Sequence, residues 1–138
     1  MTKGRLDAAL VRRHLLGLDR AVAQLQKHVG RPVEELVADL DVAWAMQHGL
    51  QLCAQNALDV ATHIASSAGL DSPAYASSLD RLAELGLLPA PFLERFRGVE
   101  GFRNALVHGY LDVDLKRVHA LLNGQLEDFR AYARYAEA

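Results

Sequence analysis

The sequence predicts an all-α protein, folded as an antiparallel helical bundle with four main helices and one short helix. Its composition is that of a globular chain, with 51% hydrophobic and 23% charged residues among 138. Ala, Leu, Arg, Glu and Gln dominate, and runs rich in Val, Ile, Thr and aromatic residues are missing, which favours helices. Apolar residues recur three and four positions apart, the spacing that buries one face of a helix. The length fits a single domain over residues 1–138.

The first predicted helix covers about residues 7–29. Its apolar residues form one stripe at helical spacing. Gly30 suits a C-terminal cap and Pro32 cannot continue a helix, so we expect the helix to end there. The stripe consists of Leu10, Val11, Leu15, Leu18, Val22, Leu25 and Val29.

A longer periodic segment, about residues 33–68, predicts the central helix of the bundle. At ~1.5 Å per residue a continuous helix of this length approaches ~50 Å. Gly49 is the candidate position for a kink, and Gly69 is the expected stop. The predicted buried positions are Leu36, Val37, Leu40, Trp44, Leu50, Leu58, Ala61, Ile64 and Ala65.

Three further helices follow. Residues 71–73 read Asp-Ser-Pro, a turn and cap sequence that leads into a short helix over about residues 75–85. The next helix should start near residue 92 and run to about residue 108, where Gly109 stops it. The last helix is expected over about residues 114–135. Without a repeat or a flexible linker between them, these helices predict one bundle.

The charge balance limits the kinds of partner. A formal net charge of −2 argues against a protein held on nucleic acid by its overall charge. It leaves room for a nuclease that meets RNA at a small local site. Arg95, Arg97 and Arg103 lie close together in sequence and would supply a local positive potential there. For Arg95 and Arg97 alone, the alternative is an ordinary solvated helix surface.

Cysteine and histidine usage predicts neither a metal nor a cofactor. Cys53 is the one cysteine, which excludes an internal disulfide and a cysteine-based zinc cluster, and we expect it to be a small core residue. Four histidines show no metal-ligand spacing with carboxylates or with each other, namely His14, His28, His48 and His119. No glycine-rich phosphate loop appears. The N-terminal residues lack the apolar block of a signal peptide, and no stretch reaches transmembrane length, so a cytoplasmic protein is expected.

The most informative stretch runs from Gly101 to Tyr110, where three polar side chains stand in an apolar helix end. Asn104 and His108 are four residues apart and share a helical face. Arg103 lies about 140° round from His108, by the ~100° step of a helix. Arg103 therefore reaches the same site only through its long side chain or through a symmetry-related copy.

The chemistry of these three side chains suits RNA cleavage. Cleavage without a metal needs a base for the ribose 2′-hydroxyl, an acid for the leaving oxygen and a cation for the phosphorane. His108 can transfer protons near neutral pH, and its place in the last helical turn favours the imidazolium form. Arg103 offers a charged fork for phosphate oxygens, and Asn104 offers neutral hydrogen bonds. From chemistry alone, a helix cap with a surface ion pair explains the same residues.

A resemblance to a known family bears on that choice. The run 103–110, Arg-Asn-Ala-Leu-Val-His-Gly-Tyr, resembles the signature of the HEPN superfamily, an arginine followed after four to six residues by histidine. More narrowly it is similar to HepT-like ribonuclease toxins, whose form is Arg-Asn, three residues, His, one residue, Tyr. Asp59 and His63 match the Asp-x-x-x-His segment of that group. Residues 73–76 and 82–88 resemble its middle region, so the likeness covers roughly residue 39 to the C-terminus.

The resemblance implies a metal-independent endoribonuclease, the toxin of a toxin–antitoxin pair. Arg103 and His108 would be the catalytic pair and Asn104 a helper, with two motifs meeting across a homodimer interface. The implied partner is a nucleotidyltransferase antitoxin that silences the toxin by adding AMP to Tyr110. For Tyr110 the alternative is a tyrosine that packs over a helix end. The alternative function is a non-catalytic HEPN binding module, the partner or substrate of a nucleotidyltransferase.

Asp59 and His63 form a second pair of interest, because they are four residues apart on one helical face. They would either support the catalytic residues without touching the substrate, or form a buried polar pair with no part in catalysis. Both interpretations stay open at this point.

Overall fold

The computed structural model describes residues 7–69, 75–96 and 115–137. Within these ranges the chain forms six helices and no strand, which confirms the all-α fold. The helix bounds are α1 Ala8–Gln26, α2 Val33–Ala38, α3 Leu40–Ser67, α4 Tyr75–Glu84, α5 Ala90–Phe96 and α6 Leu115–Glu137.

Helices α1 and α3 form the centre of the bundle and run antiparallel. The start of α1 meets the end of α3, where the Asp7 backbone N–H donates to His63 Nε2 at 3.0 Å. Helix α6 packs against both and runs in the direction of α3. Its early residue His119 donates from Nε2 to the carbonyl oxygen of Arg31 at 2.6 Å, at the end of the bundle where α3 begins. Helix α4 packs on α3, and α5 follows α4 through a short turn.

Helix α1 begins where its sequence predicts and ends three residues before the predicted end at Val29. Asp7 is the N-cap, and its side chain accepts from the backbone N–H of Leu10 at 3.0 Å. The helix ends at Gln26, and Gly30 takes φ +88° in the following turn, a conformation that glycine adopts without strain. Val29 is exposed because it lies in this turn, so its predicted burial is wrong. The rest of the buried face carries Val11, Leu15, Leu18, Ala21, Val22 and Leu25.

The predicted continuous helix over residues 33–68 is wrong, because the chain breaks at Asp39. This residue has extended backbone angles, φ −128° and ψ 99°, and it separates the short α2 from α3. Its carboxylate accepts from the backbone N–H groups of Asp41 and Val42, which caps α3. Asp favours such N-cap positions because its short side chain replaces the missing helical hydrogen bonds. The expected stop at Gly69 is confirmed, with φ +80° just beyond the end of α3.

Gly49 serves helix packing and not a break in the helix, since α3 continues through it. A Cβ atom at Gly49 would lie 2.8 Å from Leu25 Cδ2 and 3.0 Å from Leu25 Cγ. The missing side chain therefore lets Leu25 of α1 lie directly against the backbone of α3. About two turns of α1 before Leu25, a Cβ atom at Gly17 would lie 3.2 Å from Asn56 Nδ2 of α3.

The predicted burial of Trp44 and Leu40 is also wrong, because their side chains are 64% and 57% exposed. The buried face of α3 starts instead with Ala43 and Met46. A helix turns by ~100° per residue, so Trp44 next to buried Ala43 points away from the core. The confirmed core positions are Leu50, Leu58, Ala61, Ile64 and Ala65.

The C-terminal helices close the bundle around an aromatic cluster. Phe96 of α5 stacks on Tyr132 of α6, with ring centroids 4.9 Å apart, and meets Phe129 edge-on at 5.4 Å. Phe92 stacks on Phe96 and contacts Tyr135, each at 5.1 Å. Such aromatic pairs add to the free energy gained by burying their area. This cluster fixes α5 on α6.

The remaining boundaries agree with the predictions as far as the structure describes them. Helix α4 ends at Glu84 and Gly86 follows with φ +78°. Helix α5 begins two residues before the predicted start, and its predicted continuation over residues 97–108 lies outside the described residues, as do residues 71–73. In the described ranges, none of the helices has the length and apolar character that crossing a bilayer requires.

Candidate functional site

The residues of the predicted catalytic motif lie outside the described residues. Arg103, Asn104, His108 and Tyr110 all belong to the segment between Phe96, where α5 ends, and Leu115, where α6 begins. The two helices that flank this segment in sequence are joined by the aromatic cluster. Their packing defines the scaffold to which the motif is covalently attached, and the roles of the four residues stay predictions.

Helix α6, which follows the motif, is held at two levels of the bundle. Near its start, His119 donates to the carbonyl oxygen of Arg31 in the turn before α2. Near its end, the Tyr132 hydroxyl donates to the carbonyl oxygen of Ala57 at 2.6 Å. Tyr132 is fully buried, and burial raises the pKa of its phenol above the ordinary value. The phenol therefore stays protonated and keeps donating.

Asp59 and His63 are both half-buried on α3, and each hydrogen-bonds to a group other than its neighbour. Asp59 Oδ1 accepts from Gln55 Nε2 at 2.9 Å, and His63 Nε2 accepts from the Asp7 backbone N–H at 3.0 Å. Accepting at Nε2 requires the tautomer of His63 that carries its proton on Nδ1. The structure shows no direct hydrogen bond or ion pair between these two described side chains. Their support of the catalytic site stays a prediction.

Arg95 lies at the surface where α5 meets α6. Its Nη2 atom is 3.5 Å from Asp128 Oδ1, and its Cζ lies 5.3 Å from the centroid of the Phe92 ring. Its side chain is 58% exposed. Asp128 thus offsets part of the positive charge that the sequence suggested for this region, while Arg97 lies outside the described residues.

Cys53 and His28, whose pKa values are shifted, both have structural explanations. Cys53 is fully buried, and burial raises the pKa of its thiol to about 12, so it is a core residue and not a nucleophile. Desolvation, followed by the charges of Arg31 and Lys27, lowers the pKa of His28. Its Nδ1 atom accepts from Arg31 Nη1 at 3.0 Å. In the part of the chain that the structure describes, no three His, Cys, Asp or Glu side chains lie close enough to hold a metal ion.

A basic groove that the sequence did not predict lies between α1 and α6. It has a volume of about 510 Å³ and combines arginines of both helices with an apolar floor. The arginine of α1 is more than one hundred residues from the two arginines of α6, so the sequence did not show that they share a surface. We call it the α1–α6 groove. Its lining residues are Arg12, Leu15, Leu16, Asp19, Arg130, Ala133 and Arg134.

Comparison with solved structures defines the class of fold. The chain superposes with a TM-score of 0.82 on the tri-AMPylated HEPN toxin of Shewanella oneidensis, solved in complex with its MNT antitoxin. The identity is 22%, over 93% of this chain and 96% of that one. A cytosolic protein of unknown function from Bacillus subtilis, YutE, gives a TM-score of 0.80 at 15% identity, over 96% of this chain and 89% of that one. The fold is therefore that of HEPN proteins.

Comparison of sequences identifies the family. The model of the family "Ribonuclease HepT-like" matches residues 18–136, and the chain belongs to this family. An mRNA nuclease HepT of Shewanella oneidensis is 31% identical over 84 residues, 60% of this chain and 63% of that protein. A tRNA nuclease HepT of Aphanizomenon flos-aquae is 24% identical over 132 residues, 94% of this chain and 88% of that protein. The first of these alignments thus spans just under two thirds of the relative.

Proposed function

We propose that the protein is a metal-independent endoribonuclease and the toxin of a toxin–antitoxin pair, acting in the cytoplasm. The observation that carries this proposal is the match to the HepT-like ribonuclease family over residues 18–136, a range that includes Arg103 and His108 at the spacing of the HEPN motif. The relatives named above are an mRNA nuclease and a tRNA nuclease, which supports RNA as the substrate.

The proposed reaction is an internal displacement at phosphorus. The ribose 2′-oxygen loses its proton and bonds to the adjacent phosphorus, and the bond from phosphorus to the 5′-oxygen of the next nucleotide breaks. His108 supplies the proton transfer that these two oxygens need. Arg103 neutralises the charge that builds up on the phosphoryl oxygens, and Asn104 orients the imidazole or the substrate. None of these steps requires a metal ion.

A homodimer belongs to the proposal because of the angle between the two catalytic side chains. On one helix, Arg103 and His108 are separated by about 140°. Two motifs facing each other across a two-fold axis would let both side chains reach one scissile phosphate. We propose that the active form contains two copies of this chain.

The proposed partner is a nucleotidyltransferase antitoxin that modifies Tyr110. In this step the phenol oxygen bonds to the α-phosphorus of ATP, and pyrophosphate leaves. The attached AMP carries negative charge and bulk beside Arg103 and His108, so it competes with the RNA phosphate for the same site. The structure of a tri-AMPylated HEPN toxin with an MNT antitoxin supports this form of control.

The test of the proposed nuclease is a comparison of histidine variants in a buffer with a metal chelator. His108→Ala should cut RNA at less than about a hundredth of the wild-type rate, because general acid–base catalysis contributes roughly 10²–10⁴-fold. His48→Ala is the matched control, since His48 is exposed on α3, and it should cut at the wild-type rate. Circular dichroism and light scattering should show the same helix content and mass for both variants.

Two outcomes would overturn the proposal. Undiminished cleavage by His108→Ala would remove the mechanism. If purified wild-type protein cuts no RNA, with or without the nucleotidyltransferase, the non-catalytic binding module becomes the better description.

The proposed partner has a test of its own. Incubation with the nucleotidyltransferase and ATP should add the mass of AMP to the wild-type protein, and the Tyr110→Phe variant should stay unmodified and active.

A further inference from the structure

The α1–α6 groove concentrates positive charge on a chain whose net charge is negative. Three arginines line it against the single carboxylate of Asp19, whereas the whole chain carries a formal charge of −2. Because general attraction to a polyanion is weak for such a chain, a local basic surface is where a polyanion would be held.

The guanidinium groups at the two sides of the groove are available to a ligand. Arg12 on α1 and Arg134 on α6 are exposed, and neither makes a hydrogen bond or ion pair with any residue in the described ranges. Arg130 is half-buried and donates from Nη1 to Glu127 Oε1 at 2.6 Å, which holds its side chain in place. The groove thus has one oriented arginine and two whose donors have no partner among the described residues. A planar guanidinium with free donors matches the oxygens of a phosphodiester.

The floor of the groove consists of apolar side chains that belong to the packed bundle. Leu15 is buried in the core and Ala133 is half-buried, while Leu16 remains 48% exposed. This exposed leucine lines the same groove as the arginines and offers an apolar surface for a ribose or the face of a base, while the basic side chains follow the phosphates as in grooves that hold single-stranded nucleic acid. The volume of about 510 Å³ lies within the ~300–1,000 Å³ typical of sites for small organic groups, which leaves room for roughly one nucleotide.

We propose that the α1–α6 groove binds the sugar–phosphate backbone of single-stranded RNA and holds the substrate in addition to the catalytic motif. Arg12 and Arg134 bind phosphate oxygens, Leu16 packs against a base, and Asp19 accepts hydrogen bonds from ribose hydroxyls or base amino groups. This inference rests on the proposed ribonuclease function, because it makes the substrate of that reaction the ligand of the groove.

The test measures RNA binding without cleavage, in full-length protein carrying His108→Ala. The probe is a fluorescently labelled, unstructured single-stranded oligoribonucleotide, and its Kd is measured by anisotropy over a series of salt concentrations. In this background, Arg12→Gln with Arg134→Gln should weaken binding at low salt by about tenfold or more. It should also reduce the slope of log Kd against log salt by about 1.4, since each lost contact to single-stranded nucleic acid removes about 0.7.

The matched control also removes two arginines, both on α1 and both outside the α1–α6 groove. Arg13 and Arg20 are exposed on α1 and do not line the α1–α6 groove. Arg13→Gln with Arg20→Gln changes the net charge equally, and we expect it to change the slope by less than half as much. Arg12→Lys with Arg134→Lys keeps the charge and should keep most of the slope. Thermal unfolding of each variant shows that it is folded.

Two outcomes would overturn this inference alone, and a third would overturn it together with the proposed function. If both glutamine pairs change the slope equally while wild-type protein cleaves RNA, the groove is not an RNA site and the nuclease proposal stands. If the groove variant binds RNA normally but loses the nucleotidyltransferase complex, the groove docks a protein and the inference is overturned. If the protein neither binds nor cuts RNA, the proposed function fails and this inference fails with it.

Discussion

The Tyr132 hydroxyl donates a 2.6 Å hydrogen bond to the Ala57 carbonyl oxygen, although the two residues are 75 positions apart in sequence. The donor is on α6, the last helix, and the acceptor is near the middle of α3. Tyr132 also stacks on Phe96 of α5. One buried side chain therefore connects the central helix with both helices that flank the predicted catalytic motif.

Removing this hydroxyl should lower stability by about 1 kcal/mol, the net contribution of a typical hydrogen bond. Tyr132→Phe keeps the ring and its stacking, and Ala57 lies inside α3, where its carbonyl keeps its helical partner. Denaturant unfolding followed by circular dichroism measures the change. Tyr135→Phe is the control, because Tyr135 is half-buried and has no hydrogen bond from its hydroxyl within the described residues. Equal effects of both substitutions would contradict the role of the Tyr132 hydroxyl.

The contact between Gly49 and Leu25 predicts that alanine at position 49 destabilises the protein. Alanine favours a helix over glycine by about 1 kcal/mol, but its Cβ would lie 2.8 Å from Leu25 Cδ2. Leu25 is 2% exposed and packed in the core, and Cγ lies as close as 3.0 Å, so relieving the contact would move the whole side chain against its core neighbours. Overpacking costs typically 1–3 kcal/mol, and we expect a net loss of about 1 kcal/mol for Gly49→Ala.

Gly124 provides the opposite case on α6, because a Cβ there meets nothing within 4 Å. Gly124→Ala should therefore raise the free energy of unfolding by up to about 1 kcal/mol through helix propensity alone. Thermal and denaturant unfolding of the two variants side by side provides the measurement. A gain in stability for both Gly49→Ala and Gly124→Ala would contradict the prediction for Gly49, because it would show that α1 and α3 can separate enough to admit the methyl group.

The buried thiol of Cys53 predicts a loss of stability at alkaline pH. Burial raises its pKa from the ordinary value of 9.0 to about 12 in the folded protein. As pH rises above 9, the unfolded chain releases this proton before the folded chain does, so unfolding becomes more favourable up to about pH 12. The stabilising contribution is complete below pH 9. Cys53→Ala should be less stable at neutral pH but should lose less stability between pH 8 and 10 than the wild type.

Chemical labelling checks the same burial independently. A thiol reagent at about pH 8 should modify Cys53 slowly in the folded protein and quickly in denaturant. Only the thiolate reacts, and burial in the folded protein keeps the thiol protonated and out of reach of the reagent. Rapid labelling of the native protein would contradict the buried position.

His63 separates the two interpretations of the Asp59 and His63 pair. Its Nε2 atom accepts from the Asp7 backbone N–H, at the start of α1. We expect His63→Ala to reduce stability by about 1 kcal/mol or less, through the loss of one hydrogen bond to the exposed start of α1, and to leave the rate of RNA cleavage unchanged. Asp59→Asn keeps an oxygen for Gln55 and is the milder companion. A fall in kcat with unchanged stability for either variant would instead assign the pair a supporting role in catalysis.

Local patterns predicted most helices and their ends. The stripe from Val11 to Leu25 and the glycines at 30 and 69 act within one or two turns, so their effect can be recognised from neighbours in the sequence. The HEPN-like run 103–110 was recognisable for the same reason, since its spacing lies within three helical turns. Asp39 is different: it caps a helix in the middle of an apolar repeat that continues across it, so the break was hidden.

Burial at the ends of helices depended on tertiary packing. Trp44 fits the apolar repeat of a long helix. In the structure, however, the face of α3 that contacts the core carries Ala43 and Met46, and Trp44 lies on another face. The close approach at Gly49 has the same origin, because it requires Leu25 of another helix. A periodic pattern records that one face is buried, and it does not record which neighbour covers each position.

Sequence by itself thus determined the all-α class, the four predicted motif residues and the resemblance to HepT-like ribonucleases, because these depend on residue type and short-range spacing. Only the tertiary structure decided that Arg12 and Arg134 share a groove, that Tyr132 joins α6 to α3, and that Asp59 and His63 each bind other partners. The physical reason is that such relationships are distances between helices far apart along the chain, and packing of the whole core sets those distances.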